Sequence, residues 1–219
     1  MSQLNQKEVF EEDLRTYSLL TSLGKLYPLD IVVSPENFLK ELNQIESLEW
    51  IQYNKTKPQI DRKGLSLFSL DGGTDGEIDL NSLREYNDKH GTKYNESSFK
   101  VSTRYWDLLP SISDSFKDIA PNLRRSHLIK FGDGGYFPSH RDIGNCFRLI
   151  SFLSPTLPGD LHFILDDHRV SYEQNRIYFF DARLTHSIFN MSTESIILVL
   201  NVELTRDSVS FVYRNLLYK

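Results

Sequence analysis

The chain has a single cysteine, Cys146, among its 219 residues, so no disulfide can form within it. Such thiol usage fits a reducing, cytoplasmic setting. No apolar run approaches the ~18 residues that a membrane-spanning helix needs. The first dozen residues, Met1 to Glu12, are polar and acidic and contain no apolar core of a secretory leader. Dense basic runs are missing too. Arg124-Arg125 is an isolated pair, and Lys+Arg 25 against Asp+Glu 30 leaves a net charge of -5. Neither nucleic acid nor an anionic membrane is expected as a partner, because both are held by clustered positive charge. Internal repeats and low-complexity tracts are absent as well. What remains is a globular composition: 39% hydrophobic, 25% charged, and rich in aromatics, with 14 Phe and 11 Tyr. This length can bury a core without staples, and we read 1–219 as one domain.

The periodicity changes along the chain. Over 5–23, apolar residues at Val9, Phe10, Leu14, Tyr17, Leu20 and Leu23 predict a helix stopped by Gly24. Ser34-Pro35-Glu36 is a helix start, with a capping hydroxyl and then Pro at the first helical position. Further short helices are predicted over 79–88 and 105–119. Residues 1–95 therefore read as a mainly helical extension. From about 126, short apolar runs alternate with turn signals such as Pro158-Gly159-Asp160 and Asp166-Asp167. Strands are predicted at 126–132, 146–154, 161–165, 168–172, 177–181, 186–190 and 195–204, with 209–214 a further candidate. The fold class is mainly β with N-terminal α. The expected core, over 96–219, is a double-sheet jelly roll, the double-stranded β-helix, with flanking helices.

One stretch carries chemistry. Gly132-Asp133-Gly134-Gly135 leads into Tyr136-Phe137-Pro138-Ser139-His140-Arg141-Asp142. Residues two apart on an extended segment point the same way, so His140 and Asp142 can face one ion. Downstream, the strand end Phe180-Asp181 is followed by His186. Two histidines and a carboxylate are the ligand set of non-haem Fe(II) sites that keep open positions. The bland reading of each histidine alone is a core or surface residue. His90, His127, His162 and His168 have no matched partner and read as structural. Cys146 reads as a small core residue, and Asp181 as a group supporting His186.

The segment 126–204 resembles the 2-oxoglutarate/Fe(II)-dependent dioxygenases. Within them it is most similar to the aspartyl/asparaginyl β-hydroxylase and bacterial free-proline hydroxylase group. The resemblance rests on His140-Arg141-Asp142, Asn145-Cys146-Phe147-Arg148-Leu149, Pro158-Gly159, Tyr172-Glu173-Gln174-Asn175, and Phe180-Asp181 through His186 to Phe189-Asn190. It implies Fe(II) held by His140, Asp142 and His186, with 2-oxoglutarate as cosubstrate. It further implies molecular oxygen and an amino-acid or peptidyl substrate that is hydroxylated. Arg148, inside an otherwise apolar strand, is the candidate for the distal carboxylate of the cosubstrate. Its alternative partners are solvent at a strand edge or a structural carboxylate. Lys130, Tyr136 and Asn201 are candidate helpers. The chain departs from the group at Ile196, where a second Arg is usual, and at Asn175, where Gly is usual. Asn tolerates the left-handed conformation such a turn needs. Two rival readings are a cupin-like metal jelly-roll enzyme that does not use 2-oxoglutarate, and a catalytically silent binding module.

Overall fold

The computed structural model describes residues 15–142 and 145–217. Part of the helix expected over 5–23 lies outside them; its described part is helical over 15–21 and ends before Gly24, at φ +96°. Thirteen strands follow among the described residues. They are β1 (Leu26–Val32), β2 (Ile51–Gln52), β3 (Arg62–Ser66), β4 (Phe68–Ser69), β5 (Val101–Ser102), β6 (His127–Phe131), β7 (Tyr136–His140), β8 (Cys146–Leu153), β9 (Leu161–Leu165), β10 (His168–Arg169), β11 (Arg176–Phe180), β12 (His186–Asn190) and β13 (Ser195–Glu203).

A seven-stranded sheet runs β1-β11-β8-β13-β6-β3-β2, and a four-stranded sheet runs β10-β9-β12-β7. A short β4-β5 pair completes the set, and every strand pairing is antiparallel. From β6 to β13, apart from the β9–β10 hairpin, successive strands alternate between the two large sheets, which is the wrapping of a double-stranded β-helix.

The large sheet is buried on both faces, and the parity of its strands says which residue goes where. On β8, Phe147, Leu149 and Leu153 join Leu198, Leu200 and Val202 of β13 in an outer cluster. That cluster includes Phe38 and Leu42 of the helix Pro35–Gln44, Ile112 and Phe116 of Pro110–Phe116, and Phe211 and Val212 of Arg206–Arg214. On the inner face, Ile150 and Phe152 of β8 meet Leu161, Phe163 and Leu165 of β9, Phe180 of β11 and Ile188 of β12. Each such fully buried side chain contributes roughly 1.5–3 kcal/mol of transfer free energy. The two-residue period of β8 thus presents one row to the helices and the other to the barrel.

Four expectations need correction. Of the stretch 1–95, the described residues 15–95 are not mainly helical, because β1, β2 and β3 extend the large sheet at its two edges. Pro28 lies in β1, where an edge strand tolerates its missing N–H. Residues 209–214 are helix rather than strand. Thr205 and Ser208 form a reciprocal capping box, and Val209, Phe211 and Val212 are buried at helical spacing. The helix expected over 105–119 is broken into Arg104–Asp107, Pro110–Phe116 and a 3-10 turn, Lys117–Asn122. Pro110, which opens the second piece, has no N–H to continue the first. Lastly, β7 was not expected as a strand, since its polar YFPSH sequence has exposed and half-buried positions only. Among the described residues no helix is long and apolar enough to cross a membrane.

Candidate metal centre and its cavity

The turn between β6 and β7 is built on glycine. Gly134 has φ +67°, and a Cβ on Gly135 would lie 2.3 Å from the Asp61 carbonyl. Asn190 ties the turn to β12, its N–H donating to the Gly135 carbonyl at 2.8 Å and its Nδ2 to the Gly132 carbonyl at 2.7 Å. β7 is thereby laid beside β12, with His140 directly opposite His186. The two rings lie 4.2 Å apart between centroids. Asp142 follows β7, held by its N–H donating to the Ala182 carbonyl at 2.9 Å.

Among the described residues, His140, Asp142 and His186 form a cluster able to hold a metal ion, one ligand atom of each lying within 4.8 Å of the others. The tautomers suit this. His140 Nδ1 lies 2.7 Å from the Pro138 carbonyl and His186 Nδ1 lies 2.9 Å from the Leu184 carbonyl. Each Nδ1 therefore carries the hydrogen, and each Nε2 lone pair faces Asp142. His140 Nε2 is 3.8 Å from Asp142 Oδ1, and His186 Nε2 is 3.8 Å from Asp142 Oδ2. Burial pushes the His186 imidazolium down in pKa, and the neighbouring His140 adds to this. The ring is thus kept neutral, as a ligand must be. Burial alone would raise the Asp142 carboxyl, but Arg148, with His186 and His140, holds it below the ordinary carboxylate range. A neutral His186 beside an ionised carboxylate, with His140 Nε2 on the same side, is donor chemistry that suits a divalent ion.

Behind the cluster lies a cavity of about 110 Å³ between the sheets. Its apolar lining includes Phe137, Phe163, Phe180 and Ile188, and its polar lining includes Glu96, Arg125, His127, Arg148 and Asn201. Arg148 is on the inward row of β8, opposite Asn201 of β13 in register. Its Nε lies 3.2 Å from Asp142 Oδ2. A structural carboxylate is therefore its partner here, and that carboxylate is the candidate ligand itself. Asn201 donates from Nδ2 to Glu96 Oε2 at 2.8 Å and to the Arg125 carbonyl at 2.6 Å. Arg125 donates to Glu96 Oε1 at 3.1 Å and to the Asp79 carbonyl at 2.9 Å. Two buried acceptor atoms in this cavity have no hydrogen-bond partner, His127 Nε2 and Asn201 Oδ1. Orphaned buried polar atoms beside an inward guanidinium fit a site built to receive a ligand.

Two of the candidate cosubstrate residues point elsewhere. Lys130 is on the outward row of β6, paired with Glu194 at 3.3 Å and lying 4.9 Å from the Trp50 ring centroid. Tyr136 stacks on Phe189, which is on the exposed face of β12, and does not line the cavity. Ile196 also faces outward, within the helix-side cluster. A side chain at 196 therefore faces away from the cavity. The inward residues of β13 are Ile197, Val199 and Asn201.

Sequence reasoning missed Tyr53, Glu96, Arg125 and His127. His127 was legible in principle, being two residues before Ile129 and at odd parity with Lys130, which places it inward. Glu96 comes from a single 3-10 turn and Arg125 from a loop, and neither carries a periodic signal. Other expectations match: Cys146 is buried, its thiol pushed up to about 11 by burial, which leaves it no nucleophile. Asn175 sits at φ +63°. Asp181 accepts from Tyr17 Oη at 2.5 Å and from the Arg183 N–H at 3.1 Å, bracing the turn before His186. Arg141 donates to Thr185 Oγ1 at 2.9 Å, and Arg183 lies over the Tyr17 ring.

No family model matches the chain, and no curated protein matches it. Solved structures similar to part of it include a predicted oxalate decarboxylase from Thermotoga maritima, 20% identical, with a TM-score of 0.33 over 41% of this chain and 74% of that one. KdgF from Halomonas sp. is 14% identical, with a TM-score of 0.31 over 40% of this chain and 74% of that one. A cupin_2 domain of a transcriptional regulator from Enterobacter cloacae is 13% identical, with a TM-score of 0.31 over 37% of this chain and 81% of that one. On its own strand order, this chain has a double-stranded β-helix core with a His/Asp/His cluster at one end of the barrel.

Proposed function

We propose that this chain is an Fe(II)/2-oxoglutarate-dependent dioxygenase that hydroxylates an amino-acid unit, free or within a peptide, in the cytoplasm. The observation that carries the reading is two imidazole Nε2 atoms and one carboxylate converging beside a buried inward arginine. His140, His186 and Asp142 would hold Fe(II), and Arg148 the distal carboxylate of 2-oxoglutarate. Bound there, the pair supplies oxidation of an unactivated C–H with molecular oxygen, releasing succinate and carbon dioxide. The protein contributes position and dryness. Phe137, Phe163, Phe180 and Ile188 exclude water around the reacting region. The carbonyls of Pro138 and Leu184 fix both imidazole planes. With Asp142 committed to a cation, Arg148 has charge to share with a second carboxylate, which its planar fork suits.

A second reading is a metal-dependent jelly-roll enzyme that does not use 2-oxoglutarate. It is favoured by the Arg148–Asp142 pair, since that arginine already has an anionic partner. Anaerobic titration with Fe(II) and then 2-oxoglutarate separates the two. The expected result is a weak visible charge-transfer band that needs both components, followed by succinate on admitting oxygen. Iron binding with neither band nor succinate would favour the second reading. Absence of stoichiometric iron would leave only a binding module.

A further inference from the structure

The turn from Asp181 to Thr185 holds more of the metal centre than His186 alone. Its Ala182 carbonyl accepts the Asp142 N–H at 2.9 Å, and its Leu184 carbonyl lies 2.9 Å from His186 Nδ1. Thr185 Oγ1 accepts at 2.9 Å from Arg141, the residue between His140 and Asp142. A displacement of this turn therefore moves the carboxylate and one imidazole, and pulls on the strand end that carries the other. The carbonyl bonds set the plane of each ring. They do not set where the turn itself sits.

That position is fixed from outside the barrel. Asp181 Oδ1 accepts from the Arg183 N–H at 3.1 Å, within the turn, and from Tyr17 Oη at 2.5 Å. The Arg183 guanidinium lies 3.4 Å from the centre of the Tyr17 ring, a cation held over an aromatic face. Tyr17 itself is buried, and its helical segment is anchored away from the metal. Leu20 belongs to the helix-side cluster, and the Leu19 carbonyl accepts from Tyr213 Oη at 2.6 Å. One phenol thus joins an anchored helix to the turn on which Asp142 and His186 are hung.

We infer that Tyr17 is a positioning residue for the metal centre, acting through Asp181 to fix this turn. The inference rests on the proposed metal ligands and not on the cosubstrate. Groups that bond directly to metal ligands change metal affinity by about 10–100-fold, and Tyr17 stands one step further out, so the lower end of that range is expected.

Equilibrium titration of Mn(II) and of Co(II) into the full chain under argon tests this, with the melting temperature of the metal-free protein measured alongside. Tyr17→Phe removes one oxygen and keeps the ring beneath Arg183. It should weaken both metals about tenfold and change the visible Co(II) bands, which report the arrangement of ligands. Asp181→Ala should show the same loss, and adding Tyr17→Phe to it should cost nothing more. Asp181→Asn keeps an accepting oxygen and should stay within about threefold of wild type. Leu200→Ala, a packing change on the helix-backed face, should lower the melting temperature and leave metal affinity as it was. Three results overturn this inference alone: Tyr17→Phe binding within about twofold of wild type, a further loss when it is added to Asp181→Ala, or an equal loss in Leu200→Ala. If the wild-type chain binds neither metal, the metal-centre reading falls with it.

Discussion

The two large sheets of the barrel divide the work unequally. The four-stranded sheet carries His140 and His186 on strands whose outer face meets solvent, with Phe189 39% exposed. The seven-stranded sheet carries Arg148, Asn201 and His127 on strands buried on both faces, backed by helices. Metal ligands can sit on the thinner wall because their geometry is set locally, by a glycine turn and two carbonyl bonds. A buried guanidinium needs a thick, dry wall around it, because an unpaired charge there is expensive. The additions that widen this wall at its edges, β1 to β3, and a helix that covers its outer face, Pro35–Gln44, all come from the N-terminal half.

The largest expected contrast between the sheets concerns function. His186→Ala should weaken Mn(II) or Fe(II) binding at least a hundredfold while circular dichroism still shows a folded barrel. One of three protein ligands is lost, and because the ring is buried against Phe163 and Phe180 the melting temperature should fall as well. Retention of wild-type metal affinity would remove the triad assignment.

Arg148→Ala couples the two walls. It should raise the 2-oxoglutarate requirement at least a hundredfold, the scale of ~3–5 kcal/mol for a broken buried charge pair. Since Arg148 also touches Asp142, metal affinity should fall too, by about tenfold. Arg148→Lys should recover only part of either. Equilibrium titrations of metal alone, and of cosubstrate at saturating metal, measure the two effects separately. An unchanged metal affinity would show that Arg148 serves the cosubstrate only.

Stability sharpens the same comparison. Leu200→Ala on the helix-backed face should cost ~2–5 kcal/mol. Phe189→Ala on the open face should cost less than ~1 kcal/mol, because that ring is already half in water. Urea melts read both, and equal losses would mean the small sheet is covered in solution. The smallest effect is expected from Thr205→Ala, which removes the capping hydroxyl of the last helix for about 1 kcal/mol.

How much of this was legible in the sequence follows from which signals are local. The barrel strands from β8 to β13 were visible because short apolar runs were separated by turn residues that do sit at positive φ, such as Asp166, Asp167 and Asn175. The convergence of His140, Asp142 and His186 was legible because a two-residue period and a single cross-strand pairing bring them together. The polar lining residues were not. Glu96 reaches the cavity from a 3-10 turn and Arg125 from a loop, and no spacing rule connects them with β8. Lys130 was misjudged for want of parity: Ile129 faces the barrel, so Lys130 cannot. The final helix was misread because Val209-x-Phe211 alternates like a strand, while the decisive signal was the Thr205/Ser208 box before it.

The Tyr17–Asp181 hydrogen bond has a consequence for the order of events during folding. Its partners are 164 residues apart, and it braces the turn that delivers His186. Tyr17 is among the earliest described residues to be synthesised, yet its partner emerges only when most of the chain is made. Closing so long a loop is entropically slow and comes after the local hairpins have formed. The turn before His186 should therefore settle late, so that metal competence develops after the barrel has closed rather than guiding its closure.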